Sequence, residues 1–243
     1  MSSMIIQSLS LVIPCFNEEE GLPTLFLRLS ELRASLFEYG IKPEFVIVDD
    51  GSSDTSWSML QEEYAMTEDV VLLQHNRNIG FGRALKTGIK AATGDIVATV
   101  DADTNYDLRQ TPDMLSYFAE GYDIVTASPF IKGGGWDYPF YRYLLSNAVT
   151  ILYRLALGKN AKPLGVYTCG FRAYRREVLE HILPQADDFL ATAEILVWAL
   201  LMEYKVAEMP VTVHDRMHGC SKMNMVKMTF RHLGFLLSLW RRS

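Results

Sequence analysis

Cysteine is sparse in this chain of 243 residues. Cys15, Cys169 and Cys220 are odd in number and far apart, which excludes a disulfide framework and the paired spacing of a thiolate metal site. Reduced thiols in a cytosolic protein are the expectation. Residues 1–7 lack the charged region and apolar run of a secretory leader. No stretch reaches the ~18 uninterrupted apolar residues of a spanning helix, so the chain is not expected to cross a membrane. Low-complexity tracts, internal repeats and Pro-, Gly- or Ser-rich linkers are also missing, and one domain with a sizeable core is expected. Nor is there a basic excess: the formal net charge is −6, which argues against a general nucleic-acid binder.

The charge is unevenly spread. From His214 onward, Arg216, Lys222, Lys227, Arg231, Arg241 and Arg242 stand against Asp215 alone, so the end carries +5 and the rest −11. A basic tail on an acidic body suits an anionic partner such as a membrane surface or phosphates.

Short apolar runs alternate with helical patterns through the first half. Residues 9–14 read as a buried strand, and Asn17 as the cap of a helix whose positive end Glu18, Glu19 and Glu20 would favour. Leu22, Leu25, Leu29, Leu32 and Leu36 recur at helical spacing up to Gly40. A second strand covers 45–50, and Gly51-Ser52-Ser53-Asp54 turns and caps a helix carrying Trp57, Leu60 and Tyr64. A third strand at 70–73 precedes a helix over 81–92. The fourth strand, 97–103, ends in two acids one residue apart, which side-chain alternation would send out on one face. Four strands with three helices between them predict an α/β architecture around a largely parallel sheet. The second half predicts strands at 122–126, within 166–174 and over 206–213, with helices over 140–157, 175–182 and 192–203.

In such sheets ligands bind beyond the carboxyl ends of the strands. Glu18, Asp49, Asp50, Asp101 and Asp103 all fall there. Asp101 and Asp103 can converge on a hard divalent cation, leaving coordination positions for substrate phosphates; an Asp-rich turn is the other reading. At Asp49-Asp50-Gly51-Ser52 an ionised carboxylate can accept from a base N–H or a ribose hydroxyl, or can cap a helix. Gly80-Phe81-Gly82, opening a helix beside Arg83, suits close approach to a nucleotide, although the third glycine of the dinucleotide fingerprint is missing.

Taken in order, Val12-Ile13-Pro14-Cys15-Phe16-Asn17-Glu18-Glu19, Ile47-Val48-Asp49-Asp50-Gly51-Ser52-Ser53-Asp54, Asn78-Ile79-Gly80 and Asp101-Ala102-Asp103 resemble the family 2 glycosyltransferases, inverting enzymes with the GT-A fold. Two later stretches are similar to the polyprenyl-phosphate sugar transferases within that family, the dolichyl-phosphate mannose synthase type. They are Cys169-Gly170-Phe171-Arg172-Ala173-Tyr174 and Arg216-Met217-His218-Gly219-Cys220-Ser221-Lys222.

The resemblance implies a nucleotide-sugar pocket around Pro14, Phe16, Glu18, Asp49 and Asp50, which Gly80 and Arg83 would join. It implies Mg²⁺ or Mn²⁺ held on the sugar-nucleotide diphosphate by Asp101 and Asp103, with Asn105 at the third metal-side position. Glu194 falls where the family places an acid near the acceptor, and Arg216, Ser221 and Lys222 look like a loop over phosphates. Asp103, Glu194, Arg216 and Lys222 form the expected catalytic set. A cap or salt bridge on a half-buried helix is the other reading of Glu194. The relatives' Gly-Ser-Arg is here Ala127-Ser128-Pro129, so Arg142 or Lys132 would meet the acceptor phosphate, with Ser146 one turn beyond Arg142. The implied function is transfer of a sugar from a nucleotide donor to a polyprenyl phosphate on the cytoplasmic face of a membrane. Glycosylation of a soluble or protein hydroxyl, nucleotidyl transfer, and sugar-nucleotide binding without catalysis are the alternatives.

Residues 1–221 are expected to form the catalytic domain, and 222–243 a basic amphipathic helix. Along that helix Met223, Val226, Phe230, Leu233, Leu237 and Trp240 make an apolar stripe, which would lie in a membrane interface or pack on the body.

Overall fold

A computed structural model describes residues 6–103, 105–158, 163–214 and 225–240. The elements run β1 (Ser8–Cys15), α1 (Leu22–Glu38), β2 (Lys42–Asp49), α2 (Ser56–Tyr64), β3 (Val70–Gln74), α3 (Phe81–Ala91) and β4 (Ile96–Thr99). After a short 3-10 turn come α4 (Thr111–Ala119), β5 (Ile124–Ser128), β6 (Gly135–Asp137), α5 (Phe140–Leu157), β7 (Arg172–Arg175) and α6 (Arg176–His181). The described chain closes with α7 (Leu190–Leu201), β8 (Val206–Pro210), β9 (Thr212–His214) and α8 (Met225–Trp240).

Among the described residues the main sheet has seven strands in the order β3-β2-β1-β4-β7-β5-β8. Its strands pair in parallel except β7, which runs antiparallel between β4 and β5. Strand alternation divides the core into two layers. Leu11 and Ile13 of β1 face α1, α2 and α4, while Val12 faces α3 and, further along the sheet, α5 to α8. All five α1 leucines named from their spacing are fully buried. Each contributes about 1.5–3 kcal/mol by leaving water.

The first half matches the sequence reading in element order, and across the chain there are three corrections. Asn17 is not a helix cap. It sits at a positive φ of 51°, and its side chain accepts from the Ser53 amide at 2.8 Å. The helix instead starts at Leu22, with Pro23 in its first turn and no acid there. The two loops are also joined by the Asn17 amide donating to Ser52 Oγ and the Glu18 amide donating to Ser56 Oγ, both at 2.8 Å. Second, β4 ends at Thr99, so Asp101 and Asp103 leave from the turn beyond it and strand alternation does not set their direction. Third, the expected last strand divides: Val211 separates β8 from β9, which pairs with β6 in a small second sheet.

On the carboxyl-terminal helix the described members of the expected stripe do not pack on the body. Met228, His232, Leu236 and Leu239 are buried, while Phe230, Leu233 and Leu237 are exposed. Apolar residues satisfy helical spacing on two faces, and contact with α5 and α7 selects the one not named. Met223 lies outside the described residues. No described helix is long and apolar enough to cross a membrane.

Candidate active site

A cavity of about 410 Å³ opens at the carboxyl ends of β1, β2 and β4. Pro14 and Cys15 line it from the end of β1, Phe16 and Glu18 from the loop that follows, Asp50 from just past β2, and Asp101, Ala102 and Asp103 from beyond β4. Asn78, Gly80, Phe81 and Ala84 close one side, Asp188 and Phe189 another, and Lys227 and Met228 reach in from α8.

Asp50 is 2% exposed and organises one wall. One carboxylate oxygen accepts from the Ile79 amide at 3.1 Å and contacts His75 Nδ1 at 2.7 Å, while the other accepts from the Gly80 amide at 2.8 Å. His75 Nε2 in turn meets Thr87 Oγ1 at 3.0 Å. Gly80, at φ 108°, cannot be replaced cheaply: a Cβ there would lie 2.2 Å from the Asp187 carbonyl oxygen. That close approach brings residues 186–189 onto the start of α3, where the Phe81 and Phe189 rings stack at 4.4 Å.

Asp49 does not line the cavity. Its carboxylate is fully buried, accepting from the Ser52 amide at 3.1 Å and Gln74 Nε2 at 3.2 Å, with Oδ1 left without a hydrogen bond. Arg83 is likewise absent from the lining and forms an exposed ion pair with Asp187.

The acids beyond β4 are set from behind. Thr99 Oγ1 donates to the Gly170 carbonyl at 2.7 Å, and at Gly170 a Cβ would lie 2.8 Å from Asp101 Oδ2. Asn105 donates from Nδ2 to Asp103 Oδ2 at 3.1 Å. Its own Oδ1 is buried without a hydrogen bond. Tyr106 follows, its hydroxyl 3.3 Å from Cys169 Sγ, and burial pushes both groups above their ordinary pKa, with Asp101 raising each further.

Two carboxylates and an unsatisfied amide oxygen fit a hard divalent cation that keeps open positions for phosphate oxygens. Among the described residues no group of three or more His, Cys, Asp or Glu could hold a metal.

Glu194 lies away from the cavity lining. On α7 and 7% exposed, it accepts from the Gln185 and Ala186 amides, both at 2.8 Å, and so braces the segment that carries Asp188 and Phe189. This favours the structural alternative over a base. Arg142 and Ser146 lie on α5; Ser146 does not line the cavity, and the Arg142 side chain is outside the description. Arg216, Ser221 and Lys222 lie outside the described residues. The flanking backbone is placed: the His214 amide donates to the Asn105 carbonyl at 3.0 Å, and Lys227 and Met228 line the cavity.

The sequence reading missed Phe81, Phe189, Asp188, Lys227 and Met228. The Asp187-Asp188-Phe189 stretch carries no strand-end signal, and only packing on α3 brings it to the site. Asp188 accepts from Arg231 Nε of α8 at 2.7 Å.

Comparison with known proteins agrees with this geometry. The chain is 33% identical over 224 residues to the undecaprenyl-phosphate 4-deoxy-4-formamido-L-arabinose transferase of Pectobacterium carotovorum, covering 92% of this chain and 64% of the relative. It is 32% identical over 233 residues to the dolichol-phosphate mannosyltransferase of Pyrococcus furiosus, covering 96% and 63%. The chain thus spans slightly under two thirds of these relatives' length. The glucosyl-3-phosphoglycerate synthase of Mycobacterium tuberculosis, solved with Mn²⁺, UDP and glucosyl-3-phosphoglycerate, superposes with a TM-score of 0.70 at 21% identity, covering 96% of this chain and 80% of that one. That likeness establishes the GT-A fold. The glycosyl transferase family 2 model matches residues 10–183, the span that holds most of β1, all of β2 to β4, the two acids beyond β4 and the Gly170 turn, and the chain belongs to that family.

Proposed function

We propose that this chain is an inverting glycosyltransferase that moves a sugar from a GDP- or UDP-linked donor to a polyprenyl phosphate. One observation carries the reading: Glu18, Asp50, Asp101 and Asp103, from three separate strand ends, share one cavity. The names of the relatives support the acceptor class, and the Mn²⁺ and UDP of the structural neighbour support the donor class. Asp101, Asp103 and Asn105 would hold Mg²⁺ or Mn²⁺, which supplies charge neutralisation at the departing diphosphate.

The reaction forms a bond between an acceptor oxygen and the anomeric carbon as the bond from that carbon to the donor diphosphate breaks, with inversion. A phosphate acceptor is ionised near neutral pH and needs positioning more than deprotonation. This suits a site in which Glu194 is committed to backbone amides. Asp50 fixes the Gly80 turn, and Phe81 and Phe189 exclude water from the wall beside it.

Peripheral attachment to the cytoplasmic face of a membrane is part of the proposal. Tyr141, Leu144, Leu145, Ile151, Leu152 and Leu155 are exposed along α5, and Phe230, Leu233 and Leu237 along the neighbouring α8. The two helices meet through Tyr153, whose hydroxyl lies 2.6 Å from His232 Nδ1. Apolar faces on adjoining helices suit burial at a headgroup boundary.

The test is a thermal-shift screen of GDP- and UDP-sugars with and without Mn²⁺, followed by transfer assays. Stabilisation by one donor series should depend on metal and vanish in Asp103→Ala. Labelled sugar should pass to a polyprenyl phosphate in detergent or vesicles. Absence of nucleotide binding would overturn the donor assignment; turnover on a soluble hydroxyl acceptor without lipid would overturn the acceptor assignment.

A further inference from the structure

The cavity is acidic: Glu18, Asp50, Asp101, Asp103 and Asp188 line it, and among the described residues that do so the basic side chain is Lys227. A sugar-nucleotide diphosphate is itself anionic. Several of the acids are already committed. Asp50 is balanced by two backbone amides and His75, and Asp188 by Arg231. Asp101 and Asp103 suit a cation, and among the described lining residues it is α8 that brings positive charge from a side chain.

The position of Lys227 is fixed by its neighbours. Met228 is 6% exposed and belongs to the core cluster that includes Leu236 and Leu239. Arg231, one turn further along α8, pairs with Asp188 at 2.7 Å. Residues four apart share a helix face, so Lys227 and Arg231 both look toward the cavity wall that Asp188 occupies. Lys227 also sits in the first turn of α8, where the helix dipole disfavours a cation. A residue that breaks a local preference beside a cavity is where function is to be sought.

We propose that Lys227 contacts the diphosphate of the bound sugar nucleotide, and that the Arg231–Asp188 pair is the clamp that holds α8 at the distance this contact needs. The inference rests on the nucleotide-sugar reading above and adds a residue and an element to it. It makes α8 a wall of the donor site in addition to any role at a membrane.

The experiment is calorimetric titration of the full chain with UDP, GDP, UMP and GMP in Mn²⁺, comparing wild type with Lys227→Met, Lys227→Arg and Arg231→Met. Lys227→Met should weaken diphosphate binding at least tenfold while changing monophosphate binding less than threefold. Lys227→Arg should restore most of the loss, and Arg231→Met should weaken the diphosphate preference without removing it. Thermal melts of each variant report folding, and Lys227→Arg with Lys227→Gln gives a second comparison should the methionine variant fold poorly. Equal loss for mono- and diphosphate, or no loss, would overturn the role of Lys227 while wild-type binding left the donor assignment standing. A wild type that binds none of the four nucleotides would overturn both.

Discussion

Gly170 lies against Asp101 so closely that a single methyl group placed on it would stand 2.8 Å from a carboxylate oxygen. The Cys169-Gly170-Phe171 turn and the acid beyond β4 are therefore one packed unit. Gly170→Ala should displace the Asp101 carboxylate while the backbone stays in place. The expected stability loss is about 1 kcal/mol, at the low end of overpacking costs because a carboxylate can rotate. Metal-dependent nucleotide affinity should fall tenfold or more, measured by titration with and without Mn²⁺. An intact metal response would show that Asp101 tolerates the displacement.

Asp50→Asn tests the other wall. The carboxylate accepts two backbone amides, and an asparagine must turn its own NH₂ toward one of them. Leaving a buried donor unsatisfied costs roughly 2–3 kcal/mol. For a chain of this size that lowers Tm by roughly 4–12 °C. Donor affinity should fall with it, because Gly80 and Phe81 line the cavity. A melt within 1 °C of wild type, at an accuracy of about that size, would contradict the bracing role.

Glu194→Gln separates a brace from a base. The amide oxygen can still accept from the Gln185 and Ala186 amides, so kcat should stay within about tenfold of wild type. Glu194→Ala orphans both donors, which lie at 2.8 Å in the native protein, and should lower stability by about 2–4 kcal/mol. A loss near a thousandfold in kcat for the glutamine variant, with normal melting, would restore Glu194 to the chemistry.

His232 gives a pH dependence. Buried on α8 beside Tyr153, its imidazole is held below the ordinary value of 6.5 by desolvation, with Asp188 opposing. The unfolded chain therefore takes up the proton first as the solution is acidified. The contribution is complete above pH 6.5 and is lost as pH falls from there toward the lower folded value. The slope from this group is at most about 1.4 kcal/mol per pH unit. Melting curves across that window should be flatter in His232→Gln than in wild type, and parallel curves would exclude the imidazole.

How far the sequence could be read follows from which signals are local. The leucines of α1 and the apolar runs of β1 to β3 announce themselves by period, and the acids at the strand ends follow from a parallel sheet. Asn17 departs from its expected role because capping residues also favour left-handed turns; the Ser52-Ser53 loop, not the nearest helix, takes its side chain. The antiparallel course of β7 has no sequence mark, since period-two alternation reads alike in either direction. Phe189 and Asp188 reach the cavity because Gly80 and Gly82 admit another backbone at carbonyl distance, a contact across seven intervening strands and helices. On α8 both faces carry apolar residues, and only the presence of α5 and α7 decides between them.

The boundary at residue 221, natural on the page of letters, runs through the pocket. Met228 is both core and cavity wall, and Arg231 ties a cavity acid to the same helix. Anyone trimming the protein for crystallisation to remove a sticky carboxyl end would strip away part of the cavity wall. A shortened version could fold and still be mistaken for an inert relative.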